Sequence, residues 1–166
     1  MHLGNYVLVE KTVPFGYISD GKPIPVTLGL DAQLKGEYLE KRVSIFNERQ
    51  KVTVTLDKVM EMPEDAADDF NPYENVKFGL YARDDIKDVN GKIVIPKLGC
   101  LEEFTVDKNG KATIKTDLPF GSYYVKEIMT ATGYVMDETE YDVVFDYAPD
   151  KGALIEIGAV CNQLKN

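Results

Sequence analysis

From residue 52 to residue 60 the chain reads V-T-V-T-L-D-K-V-M, and apolar positions alternate with polar ones. Val52, Val54, Leu56, Lys58 and Met60 fall on one face, and Thr53, Thr55 and Asp57 on the other, which is the period-two pattern of a half-buried strand. The same reading predicts strands at Val76–Tyr81, Leu101–Val106, Lys111–Thr116, Ser122–Ile128, Tyr141–Phe145 and Leu154–Cys161. The turn D-K-N-G-K, residues 107–111, joins two of them as a hairpin. No long helical period competes, and the acidic stretch 63–75, bracketed by prolines, reads as a surface loop with at most one short helix. The expected class is all-β.

A second pattern lies on top of the first. Y-V-L-V-E-K-T-V-P-F-G-Y at 6–17 returns as Y-Y-V-K-E-I-M-T-A-T-G-Y at 123–134, so that Gly4, Tyr6, Glu10, Gly16, Tyr17 and Asp20 fall on Gly121, Tyr123, Glu127, Gly133, Tyr134 and Asp137. The offset of 117 is constant and free of gaps, as tandem copies of one structural unit require. The boundary between copies falls near residue 50, with almost no linker before the strand that starts at Lys51 or Val52. Residues 1–50 are therefore expected to be the C-terminal part of a domain that begins outside the sequence, and 51–166 a complete copy.

Composition narrows the chemistry. Of 166 residues 44% are hydrophobic, enough for a core, and the net charge of −9 leaves no basic surface for a nucleic acid. No apolar run is long enough to span a membrane, so no membrane contact is expected of this segment. Cys100 and Cys161 are too few for a disulfide scaffold and lack metal-ligand spacing, and a single histidine, His2, removes most metal and nucleophile–base schemes. D-V-N-G-K at 88–92 is a turn, because the bidentate glutamate of a calcium loop is missing. Neither metal nor cofactor is expected. Glu102 and Glu103 are adjacent on a strand, point to opposite faces, and make no catalytic pair.

Two charged residues stand on apolar faces. Lys58 is in register with Val54 and Leu56, and Glu127 with Tyr123 and Val125, so alternation turns both inward. Burial disfavours the charged form of each group. An uncharged amine is a nucleophile, and beside an Asn carboxamide it could attack the side-chain carbonyl while the glutamate polarised that carbonyl and passed protons to departing ammonia. The product is an amide between two side chains. The final strand offers Asn162 in G-A-V-C-N-Q-L, and the earlier copy offers Asn47 in V-S-I-F-N-E. Alternation groups Asn162 with Val160 and Gly158, opposite Ile155 and Ile157, and a bulge at Gly158 would bring it to their face. On spacing alone a snorkelling Lys58, a surface Glu127 and a turn-forming Asn162 compete with this reading.

The lysine-bearing strand, F-G-L-Y-A-R, L-P-F-G-S-Y-Y-V-K-E, the following G-Y and the late Asn together resemble the collagen-adhesin B-type (Cna B-type) domain of Gram-positive surface proteins and pilins. The resemblance covers 51–166 as a full domain and 1–50 as a partial one. It implies an immunoglobulin-like, prealbumin-type antiparallel β-sandwich in tandem modules, with an isopeptide bond between Lys58 and Asn162 promoted by Glu127. Glu10 and Asn47 take the matching places in the first unit, where no preceding strand supplies a lysine. The implied role is a structural stalk segment of an adhesin or pilin-like protein on the bacterial cell surface, partnered by neighbouring modules and not an enzyme beyond its own cross-link. The alternative is an adhesive module for a host glycan or matrix protein, using the acidic loop 65–75 or I-V-I-P-K-L-G-C at 93–100.

Overall fold

A computed structural model describes residues 2–29, 33–35 and 38–163. Its contacts divide into two units, one formed by residues 1–50 with 148–153 and the other by 51–147 with 154–166. Each is described separately.

Among the described residues the first unit has six short strands: β1 (Gly4–Leu8), β2 (Tyr17–Ile18), β3 (Ile24–Leu28), β4 (Gln33–Lys35), β5 (Tyr38–Glu40) and β6 (Glu48–Arg49). They pair antiparallel as β1 with β3, β2 with β6 and β4 with β5. Much of the apolar surface stays in solvent: Val7, Val9 and Ile45 are about half exposed and Phe46 is 86% exposed. Its one fully buried polar side chain among the described residues is Gln50. The Gln50 amide nitrogen donates to the carbonyls of Ala148 (2.7 Å) and Gly152 (2.6 Å), and its oxygen accepts from the Ala148 N–H at 2.9 Å. A buried amide with three bonds fixes the 148–152 turn in place.

The second unit contains β7 (Lys51–Met60), β8 (Lys77–Ala82), β9 (Ile86–Lys87), β10 (Ile93–Ile95), β11 (Cys100–Thr105), β12 (Lys111–Ile114), β13 (Gly121–Met129), β14 (Tyr141–Phe145) and β15 (Leu154–Gln163). One sheet runs β11-β8-β13-β14 and the other β12-β7-β15, with β9 and β10 as a separate hairpin. Alternation in β7 is kept without a break, since Val52, Val54, Leu56, Lys58 and Met60 are all buried. Their partners in the core are Phe78, Leu80, Tyr123, Val125, Val143 and Phe145 from the facing sheet. Two layers of apolar side chains between two sheets make the sandwich.

One pairing departs from the antiparallel expectation. β15 runs parallel to β7, in continuous register from Leu154 opposite Lys51 to Gln163 opposite Met60. Parallel neighbours require a long crossover, and here most of the unit lies between the two strands. The bulge expected at Gly158 is also absent. Glycine there relieves a different constraint, because an added Cβ would lie 3.3 Å from Thr55 Oγ1 on β7. The bulge of this region occurs instead on β13 between Glu127 and Met129.

The offset of 117 reappears in the hydrogen bonds. Gly4 pairs with Leu28 and Leu8 with Ile24, and 117 residues later Gly121 pairs with Phe145 and Val125 with Tyr141. The Tyr6 hydroxyl donates to the His2 carbonyl as Tyr123 does to Pro119. The Tyr17 N–H donates to Pro14 as that of Tyr134 does to Ala131.

Gly110, with φ at +76°, ends the turn that carries the chain from β11 to β12; these strands lie in different sheets, so the turn crosses between layers and does not close the hairpin expected at 107–111, and its carbonyl accepts from the Lys58 N–H at 2.7 Å. A Cβ at this position would stand 2.2 Å from the Lys58 carbonyl oxygen. Gly110→Ala should therefore lower stability by more than about 1–2 kcal/mol, the cost of the left-handed conformation alone, read as a lower denaturant midpoint. The Tyr123 phenol is pushed up to about 12 from 10.0 by burial. Between those values the unfolded chain releases this proton and the folded chain keeps it, so stability should fall as pH rises from 10. Tyr123→Phe should flatten part of that fall in pH-dependent unfolding. Tyr81 and Tyr134, raised mainly by desolvation, account for a remainder.

Candidate cross-link site

β7 and β13 carry Lys58 and Glu127 to the centre of the second unit. Neither side chain has any solvent exposure, and Lys58 Nζ is 3.2 Å from Glu127 Oε1. The snorkelling lysine and surface glutamate are thus excluded. The contact is electrostatic more than directional, since Glu127 Oε1 has no aligned hydrogen bond among the described residues. The Phe78 ring lies 5.8 Å from the amine and adds a cation–π contact. Glu127 Oε2 accepts from the Asp137 N–H at 2.7 Å. Asp137 is held in turn, its Oδ1 by the Thr139 N–H at 2.9 Å and its Oδ2 by the Tyr141 hydroxyl at 2.6 Å. Sequence reasoning missed this support. Its signal was D-E-T-E-Y at 137–141, where an Asp two residues before a Thr forms a local turn.

Asn162 lies on β15 opposite Val59, one position beyond Cys161, which is opposite Lys58. Its side chain is outside the described residues. A bond to Lys58 requires the Asn162 carboxamide to reach the Lys58 side of the ladder.

In the first unit the Asn47 amide donates to Glu10 Oε1 at 2.8 Å. The remaining oxygens, Glu10 Oε2 and Asn47 Oδ1, are buried and have no hydrogen-bond partner among the described residues. Residues 41–47 join no strand ladder, although period-two spacing would set Val43, Ile45 and Asn47 on one face. Two buried oxygens without a donor are unusual in a folded chain. Cys100 is an exposed free thiol, and among the described residues no group of three His, Cys, Asp or Glu side chains could hold a metal ion.

A family model for the SpaA prealbumin-like fold domain matches residues 61–157. The chain belongs to this family. Glu127 lies inside the matched span of the SpaA-type domain, whereas Lys58 and Asn162 flank it. No curated protein sequence matches significantly. The Bacillus anthracis TIE protein is similar in structure, with a TM-score of 0.56 at 21% identity, covering 98% of this chain and 25% of that protein. The Corynebacterium diphtheriae major pilin SpaA gives 0.46 at 17% identity over 72% of this chain and 31% of its own. GBS52, the minor pilin of Streptococcus agalactiae, gives 0.43 at 18% over 88% and 65%. The chain thus spans a quarter to about two-thirds of these proteins, and its likeness to the TIE protein, at 21% identity, is one of fold.

Removing one member of a buried ion pair leaves the other desolvated and uncompensated. In an Asn162→Ala background, where no bond to that residue can form, Glu127→Leu should cost about 3–5 kcal/mol in denaturant unfolding. Adding Lys58→Met should return most of it.

Proposed function

We propose that this segment is a structural, stalk-forming part of a bacterial cell-surface protein of the adhesin or pilin type, in which Lys58 and Asn162 are joined by an isopeptide bond. The observation that carries this reading is the Lys58–Glu127 contact, sealed from water and lying beside the strand that bears Asn162. Lys58 Nζ attacks the Asn162 side-chain carbon, a C–N bond forms, and the amide nitrogen leaves as ammonia with a proton relayed through the Glu127 carboxyl. The site turns over once and has no substrate in solution. Cross-linking residues 58 and 162 closes a loop of about a hundred residues, which by the chain-entropy argument for disulfides stabilises by roughly 4–5 kcal/mol.

Residues 51–166 are on this reading a complete module and 1–50 the C-terminal part of another, a division that the matching registers at an offset of 117 support. Glu10 and Asn47 are the corresponding pair in the partial module, and the unpaired oxygens there suit a lysine delivered by a strand that residues 43–47 would join. The partners are neighbouring modules of the same surface protein, and the setting is extracellular. An adhesive role has one observation in its favour: the β9–β10 hairpin and the turn after it expose Val89 completely and Leu98 by 62%. Specific capture of a host glycan or matrix protein by residues 51–166, abolished by Val89→Asp, would establish that role instead.

The intact mass of the purified chain should be one ammonia below that of its sequence. Lys58→Ala and Asn162→Ala should each restore the full mass, and Glu127→Ala should block or greatly slow the loss. A full mass in the well-folded parent would overturn the reading. Two ammonia losses would show that Asn47 has found a lysine within the chain.

A further inference from the structure

We infer that Tyr141 and Asp137 form a positioning relay that aims the Glu127 carboxylate at Lys58, an inference that rests on the cross-link reading above. Four groups are connected in order. The Tyr141 hydroxyl donates to Asp137 Oδ2, the Asp137 N–H donates to Glu127 Oε2, and Glu127 Oε1 faces Lys58 Nζ. With Oε2 held at 2.7 Å by a backbone donor, the carboxyl plane cannot turn freely, and Oε1 stays on the amine side. The bulge between Glu127 and Met129 ends the regular ladder at this point, so β13 itself does not fix the side chain. Orientation has to come from outside the strand.

The first unit acts as an internal control. Asp20, the counterpart of Asp137, keeps the local turn, since its Oδ1 accepts from the Lys22 N–H at 3.0 Å as Asp137 Oδ1 accepts from Thr139. The place of Tyr141 is taken by Ile24, which has no hydroxyl. There, one Glu10 oxygen accepts from the Asn47 amide and the other is buried without a hydrogen bond among the described residues, so neither accepts from the Asp20 N–H. Turn and glutamate are present in both units. Among the described residues, the carboxylate is held by its Asp N–H only in the unit that has the tyrosine. Tyr141 reaches this position because it pairs with Val125 on β13, two residues before Glu127. Tyr141 and Asp137 are linked in series to Glu127, so the effect inferred for them passes through its geometry.

The test follows ammonia loss by intact mass in freshly synthesised full-length chain, as the time at which half the molecules have lost it. Tyr141→Phe removes the hydroxyl, and Asp137→Asn keeps the backbone N–H and Oδ1 while replacing the oxygen that accepts from Tyr141. Each should slow the loss by roughly tenfold or more, the scale on which misorientation of a reacting group is felt. To separate orientation from folding, both changes are repeated on Asn162→Ala, where the unfolding midpoint should move little compared with the change in rate. If Tyr141→Phe does not fold, Asp137→Asn decides. Parental rates in Asp137→Asn and in folded Tyr141→Phe would overturn the relay while leaving the cross-link intact. A slowing matched by an equal loss of stability in the Asn162→Ala background would also overturn it, whereas a parent that never loses ammonia would defeat the cross-link reading itself.

Discussion

Two ionisable side chains share the most apolar part of the second unit, and the cost of keeping them dry governs what surrounds them. Lys58 and Glu127 offset each other's charge at 3.2 Å, and each needs more than the other to tolerate full burial. The Phe78 ring faces the amine and the Asp137 N–H holds the carboxylate. Glycine is required at 110 because a Cβ there would stand 2.2 Å from the Lys58 carbonyl oxygen. The bulge on β13 and the turn at Asp137 both lie next to Glu127.

The two units show how far a shared pattern of hydrogen bonds can go without shared burial. β1 with β3 and β13 with β14 have the same register at an offset of 117. Yet Tyr123, Tyr124 and Val125 are at most 3% exposed, while Val7 and Leu8, the counterparts of Tyr124 and Val125, are 64% and 43% exposed. β13 is covered because β8 pairs with its other edge and β7 packs across from it. Local sequence specifies the hairpin, and covering strands supply most of the apolar burial that stabilises it.

The legible part of this structure was whatever obeys a period. Alternation turns Lys58 and Glu127 inward among apolar neighbours, where the structure has them in contact, and the constant offset sets Glu10 in the place of Glu127. What alternation cannot carry is direction and interruption. It does not distinguish a parallel from an antiparallel neighbour, so β15 was assigned with the rest. It offers glycine as the default bulge, although Gly158 accommodates Thr55 and the interruption falls after Glu127. The Tyr141–Asp137 contact spans four residues in a loop without a period, and the burial of Gln50 depends on carbonyls about a hundred residues away.

The parallel course of β7 and β15 has a mechanical consequence. Because Lys51 stands beside Leu154 and Met60 beside Gln163, the chain enters the unit at one end of this ladder and leaves β15 at the other. Tension applied between those two points slides the strands past each other along their length. All ten register positions then share the load at once, whereas an antiparallel pair pulled from one end would open bond by bond like a zip.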